Sequence, residues 1–327
     1  MTMRADRAVS VDYARHDPAL ALVSLFRPIC RGRRPGGLAI EHEHDGLRLK
    51  FNVWQALDTR DQSVLLAAIG LAGLLGTQNL HAGITHARGQ QLWLDLEPTE
   101  QAEMDQAIVV RTTRYALLRA AGLDDHGRNY RLLEDCLERL SMVGCRARKD
   151  GYDWSMRLLS YAEAQDGRLH IALNPRFAQA LSGQHVHVSL VERRQLSGDA
   201  AMLAHAWLSA WLRPGSSNCI RLDRLAEKIW GPPSSREATN RKRRERISKA
   251  LETIATLRGW HIVRDGKGSS AKATISRPAL LEHRTEVPIK RSRGTDQTVT
   301  NYRSNGHVSD CEKPLKAASR LAFTESA

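Results

Sequence analysis

No stretch of about 20 apolar residues, the length a spanning helix needs, occurs anywhere in the sequence. The opening residues, MTMRADRAVSVDYARHDP, contain no continuous apolar segment of signal-peptide type. Cysteine is sparse. Cys30, Cys136, Cys145, Cys219 and Cys311 are scattered and odd in number, and no CxxC spacing occurs. This usage fits reduced thiols, mostly core filling, in a cytoplasmic protein. A nucleotide-cradling loop is also missing. DGKGSS at residues 265–270 looks suited to phosphate, but His261 stands where a P-loop needs glycine, and no helix follows. The sequence thus gives no reason to expect a cofactor.

Positive charge, by contrast, is abundant. The chain has 327 residues, with 49 Lys and Arg against 36 acidic residues and a formal charge of +13. Such an excess favours a polyanionic partner, either nucleic acid or an anionic membrane surface, and the lack of a spanning segment weakens the second. Hydrophobic residues make up 42%, enough for real cores in two ordinary domains.

Periodicity suggests how those domains are built. Residues 1–55 are mixed and read as an N-terminal arm, with RGRRPGG at residues 31–37 as a flexible basic linker. DTRDQSVLLAAIGLAGLLG then reads as a helix capped by Asp58 and ended by Gly76, with Val64, Ala68, Leu71 and Leu75 at helical spacing. QAIVVR reads as a strand, and Thr112 as the cap of the helix TRYALLRAAG. A helix over roughly 127–143 turns Leu133, Leu137 and Leu140 inward. Turn signals follow at Lys149-Asp150-Gly151 and Asp166-Gly167, between strand-like runs. Helix, turn, helix and hairpin is the order of a winged helix.

The order recurs. SGDAAMLAHAWLSAWLRPG reads as a helix capped by Ser197, CIRL as a strand, and RLAEKIW as a helix begun by Asp223. Gly231-Pro232-Pro233 ends that helix, because proline lacks an N–H and clashes with the preceding turn. Ser234 and Glu237 have capping-box spacing for the next helix. WHIVRDGKGSSAKATISR then reads as strand, tip, strand. The spacing therefore predicts an α+β, mostly helical chain with two tandem winged-helix domains, at 56–175 and 176–280. The polar tail, 281–327, lacks periodicity and reads as disordered.

The densest charge lies in ATNRKRRERISKALETIATLRGW, residues 238–260. Ile247, Ala250, Leu251, Ile254 and Leu257 share one helical face, with Arg241, Lys242, Arg246 and Lys249 mainly opposite. A recognition helix enters the major groove near its N-terminal end, where these charges are densest. Arg241, Arg244 and Arg246 are the candidates for base contact, and Arg243, nearer the core side, for phosphate. Arg264, Lys267 and Lys272 flank the hairpin tip and suit backbone contacts. In the first half Arg128, Arg131, Arg146 and Lys149 are sparser; that unit serves either as a second DNA reader or as a dimer surface.

Two rival classes use the same sequence. A His-hydrophobic-His nickase would need a metal at HVH, His185 to His187, or HEH, His42 to His44, and a tyrosine nucleophile. Tyr302 is the only tyrosine downstream of HVH, and Tyr152 and Tyr161 lie in the hairpin region. A cluster at Asp124-Asp125-His126 reads better as the acidic start of a helix than as a metal site. A winged-helix transcription regulator is the other class, since fold does not fix function.

Four long segments add a resemblance: ARHDPALALVSLFR, DGRLHIALNPRFAQAL, GQHVHVSLVERRQL and RKRRERISKALETIATLRGWHI. Through them the chain, from about Tyr13 to Pro278, resembles the iteron-binding replication initiators of IncQ-type plasmids, the RepC family. The resemblance implies two winged-helix domains that bind direct repeats at a plasmid origin. It also implies opening of an adjacent A·T-rich segment and loading of a plasmid-encoded replicative helicase, without catalysis by the initiator itself.

Overall fold

A computed structural model describes residues 10–29, 34–44 and 46–280. The readings made on residues 31–33, on Cys30, and on the tail with Tyr302 and Cys311 lie outside these residues.

The segment read as an arm contains regular structure. It holds β1 (Tyr13–His16), α1 (Pro18–Ala21), β2 (Gly36–His44) and β3 (Leu47–Gln55). Next comes α2 (Thr59–Leu75), which starts where the sequence places it. Asp58 accepts from the amides of Arg60 and Asp61, and the Asp61 carboxylate accepts from the amide of Asp58 at 2.8 Å. Every residue from Val64 to Ala72 is buried, so α2 is a central helix wrapped on all sides.

After α2 the chain forms β4 (Gln78–Leu80), α3 (Ala87–Asp95), β5 (Thr99–Glu100), β6 (Ala107–Thr113), α4 (Arg114–Ala120) and α5 (Gly127–Ser141). Thr113, not Thr112, caps α4; its Oγ1 accepts from the Ala116 amide at 3.1 Å. β6 runs two residues further than the sequence suggested, to Thr113, and Thr112 is buried in it.

Two hairpins follow: β7 (Val143–Lys149) with β8 (Tyr152–Arg157), and β9 (Leu159–Glu163) with β10 (Arg168–Leu173). They belong to different sheets. The first sheet has the order β2-β3-β7-β8-β5 and the second β4-β6-β10-β9. At the first turn Asp150 and Gly151 both have positive φ, 45° and 80°, as a tight hairpin turn demands.

The second half begins with α6 (Pro175–Ser182), β11 (Val186–Ser189) and α7 (Leu190–Gln195). It continues with α8 (Asp199–Trp211), β12 (Ser217–Arg221), α9 (Leu222–Trp230), α10 (Glu237–Ala255), β13 (His261–Asp265) and β14 (Lys272–Ser276). Gly198, with φ 86°, holds the N-cap of α8 without a side-chain bond, displacing the expected Ser197 by one residue. The sheet here has the order β12-β14-β13.

The two halves repeat one layout, and of the two hairpins in the first half the second takes part in it. The series α2, β6, α4, α5, β9, β10 matches α8, β12, α9, α10, β13, β14. The sheet orders β6-β10-β9 and β12-β14-β13 correspond. β7 and β8 are an insertion recruited by β3, and β9–β10 occupies the equivalent place. The architecture is mixed α and β, with helices and several small sheets.

One hydrophobic core runs from Val11 to Ile275 through both halves. β1 pairs with β11 and so ties the N-terminal segment to the start of the second half. Arg193, 3% exposed, bridges the halves. It donates to the carbonyl of Met202 in α8 at 2.7 Å and to the carbonyl of Thr59 in α2 at 3.3 Å. Burial pulls its guanidinium down to about 9, with Asp199 opposing.

Candidate nucleic-acid interface

α9 and α10 are joined by a turn that the sequence dictates only in part. Gly231 ends α9 with φ 80°, and a side chain there would press on the Arg27 guanidinium at 2.9 Å. The expected Ser234–Glu237 capping box does not form. α10 starts at Glu237, which makes Glu237 its first residue rather than its third, and Arg236 holds the cap position without a side-chain bond. Asn240 does the work instead. Its Oδ1 accepts from the Ser234 amide at 2.9 Å, and its Nδ2 donates to the Ser234 carbonyl at 2.8 Å.

α10 is seated by Ile247, Ala250, Leu251 and Ile254, all buried. Arg241, Lys242, Arg246 and Lys249 are exposed. The side chains of Lys242, Arg246 and Lys249 have no hydrogen-bond or ion-pair partner among the described residues. Arg241 makes a loose contact with Glu245 at 3.8 Å, both largely exposed. Such a pair contributes little and yields readily to a phosphate.

The other two arginines of the cluster face inward. Arg243 donates to the Pro232 carbonyl at 2.8 Å and so fastens the turn onto α10. Burial, together with the nearby Arg243 charge, lowers the pKa of Arg27 beside it. Arg244 donates to Asp223 at 2.9 Å and to Glu237, and its side chain is only 12% exposed. These hydrogen bonds raise the pKa of the Arg244 guanidinium. Arg244 therefore clamps α9 to α10 and does not point outward as a base-reading residue would. The sequence could not separate it from Arg246, because its acidic partner Asp223 is brought in by the turn.

The hairpin β13–β14 carries the other nominated cations. Arg264 pairs with Glu252 at 2.7 Å and Lys272 with Asp265 at 3.3 Å, all four side chains well exposed. Lys267 lies at the tip, exposed. A cleft of about 270 Å³ opens between α9, the turn, α10 and this tip, lined among others by Arg221, Arg224, Asn240 and Ser269. Arg221, exposed at the entrance of α9, was not singled out from the sequence, where it belongs to no charge run.

In the first half, Arg128 and Arg131 are exposed in the first turns of α5. Arg146 and Lys149 lie elsewhere, on β7, whose sheet is not the one that matches β12-β14-β13. Arg146 is engaged in a two-pronged bond to Asp153 at 2.9 and 2.6 Å, and Arg148 adds a third. These bonds hold the Asp153 carboxyl far below the usual range.

The histidine pair of the rival reading is compact. The Nε2 atoms of His185 and His187 lie 2.9 Å apart, and Tyr13 packs on the His187 ring at 5.0 Å. Burial, the neighbouring His185 and nearby Arg15 and Arg277 lower His187 to about 4. No third His, Cys, Asp or Glu completes a metal-binding group among the described residues.

With this geometry in view, comparison with known proteins gives two results. The family model described as Replication protein C (RepC) matches residues 8–279. Two solved structures of domains 2 and 3 of RctB align with 80% of this chain at 11% identity. One is covered over 99% of its length with a TM-score of 0.47, the other over 97% with 0.45. No curated protein matches the chain.

Proposed function

The chain belongs to the Replication protein C (RepC) family of replication initiators, and on that premise we propose that it binds direct repeats at an origin. In this reading each repeated unit, α2 to β10 and α8 to β14, is a winged helix. The units fall within residues 56–175 and 176–280. α10 enters the major groove and β13–β14 is the wing.

The observation that carries the reading is the outward stripe of α10. Arg241, Lys242, Arg246 and Lys249 project from a helix whose opposite side is locked into the core. One or two of these arginines fork onto guanine, while Lys249, Arg264, Lys267 and Lys272 contact phosphates. Arg128 and Arg131 give α5 a sparser cationic start, suited to a second contact on the same repeat. Copies on tandem repeats bend the DNA, at a cost on the order of 1–6 kcal/mol for a strong bend of a short site, offset by the added contacts. An adjacent A·T-rich segment then opens, and a replicative helicase is recruited there.

Footprinting on the DNA flanking the gene tests this. Regularly spaced protected repeats beside an A·T-rich stretch are expected. A single protected promoter palindrome would instead identify a transcription regulator, and strand cleavage with a covalent adduct a nickase.

A further inference from the structure

A second cationic cleft lies in the first half, on residues that the DNA-contact reading leaves aside. Arg111 of β6 and His170 of β10 are directly opposite each other in the antiparallel register. They share the sheet face that α3 covers. Ser160, on that same face of β9, donates to the Leu92 carbonyl of α3 at 2.7 Å. Arg88, in the first turn of α3, reaches over this face. Its Nη1 lies 3.5 Å from His170 Nε2, a contact between two groups that both carry or accept positive charge. Between them is a cavity of about 100 Å³, with Asn79 and His86 on its wall.

The surroundings lack the carboxylate that normally accompanies such a group. Neither Arg88 nor Arg111 makes an ion pair among the described residues, and Asp166, the one acidic neighbour felt by His170, is paired with Arg168 at 3.6 Å. His170 is only 7% exposed. Burial, and then Arg88 and Arg111, hold its pKa below the ordinary histidine value. The start of α3 adds to the positive field. His86 Nδ1 accepts from the Gly89 amide at 2.8 Å, so the ring's proton sits on Nε2 as a donor. That packing is close enough that a Cβ on Gly89 would lie 2.4 Å from the His86 ring.

We propose that this cleft binds a phosphate group, gripped by Arg88 and Arg111, with His170 taking up a proton as the anion enters. Two guanidinium forks and an imidazole converging from three elements suit the tetrahedral oxygens of a phosphate. The site is independent of α10. The phosphate is either part of a nucleic-acid chain or carried by a free or terminal phosphate, and the experiment distinguishes these sources.

The full chain, labelled with nitrogen-15, is titrated by NMR with inorganic phosphate, with a short 5′-phosphorylated single strand, and with the same strand lacking that phosphate. Saturable binding is expected to raise the His170 pKa. Arg88→Gln and Arg111→Gln should each weaken it at least tenfold, with Arg48→Gln on β3 as an unaffected control. A response that requires the terminal phosphate points to strand ends or nucleotides; an equal response to both strands, stronger than to inorganic phosphate, points to the backbone. Acetate should bind at least tenfold more weakly. A His170 pKa unmoved by all three probes, equal binding of acetate, or unaltered binding in both arginine variants would overturn the assignment. The wild-type His170 titration decides the matter even if a variant fails to fold.

Discussion

Arg244 of α10 donates to Asp223 of α9 at 2.9 Å, and this one ion pair divides the arginine cluster by role. Five cations crowd into six residues, yet Arg243 and Arg244 brace the turn while Arg241, Lys242 and Arg246 face solvent. The division follows from where α9 ends, since only the folded turn brings Asp223 beside α10.

Arg244→Met should therefore act on stability. Loss of the shielded, charge-assisted bond to Asp223 is expected to cost about 1 kcal/mol in urea denaturation. Asp223→Asn should cost less when Arg244 is already replaced than on its own, because the two residues are coupled. Strict additivity in that double-mutant cycle would show the pair to be energetically idle.

Arg241→Ala combined with Arg246→Ala should act on DNA and leave the fold intact. If both arginines reach bases, affinity for the repeat falls by about 2–6 kcal/mol, read by fluorescence anisotropy. With about 6–8 phosphate contacts, log affinity against log salt should slope near −5 to −7. Undiminished binding in the double variant removes α10 as the reading element.

Two glycines in α2 make a matched pair. A Cβ on Gly70 would meet Val11 Cγ1 at 2.4 Å and the Tyr13 carbonyl at 3.1 Å, whereas on Gly73 it would meet only Leu181 at an ordinary 3.6 Å. Gly70→Ala should push β1 off α2 and destabilise by about 1–3 kcal/mol. Gly73→Ala should stabilise, by up to about 1 kcal/mol, through helix propensity. Thermal unfolding of both variants checks the contrast; equal shifts would contradict the close docking of β1.

Acid should unfold the protein early. Burial lowers the pKa values of His16, His205 and His187 below 6.5, with His187 at about 4. As pH falls below 6.5 the unfolded chain binds protons that the folded chain refuses, so stability drops; above 6.5 this contribution is constant. For His187 the loss continues down to about pH 4. The unfolding midpoint should decline over that window, and His187→Gln should make the decline shallower. A midpoint flat from pH 7 to pH 4 would contradict the buried imidazoles.

Local chemistry was enough to specify several features. Asp58 and Gly76 bound α2, Asp150-Gly151 and Asp166-Gly167 make turns, and the spacing of Ile247, Leu251 and Ile254 orients α10. Each depends on residues a few positions apart, so the signal is in the order of the chain. Pairing between distant strands carries no such signal. The choice of β9–β10 over β7–β8 as the hairpin matching β13–β14 depends on β10 finding β6, and on β3 capturing β7. The docking of β1 on β11, the turning inward of Arg244, and the gathering of Arg88, Arg111 and His170 are likewise contacts between segments far apart in sequence. The sequence determined that α2, α4, α5, α8, α9 and α10 are helices and that cations would line one of them. Tertiary packing decided that Arg243 and Arg244 are held by Pro232 and Asp223, which the folded turn brings beside α10, while among the described residues Lys242, Arg246 and Lys249 remain free for a partner.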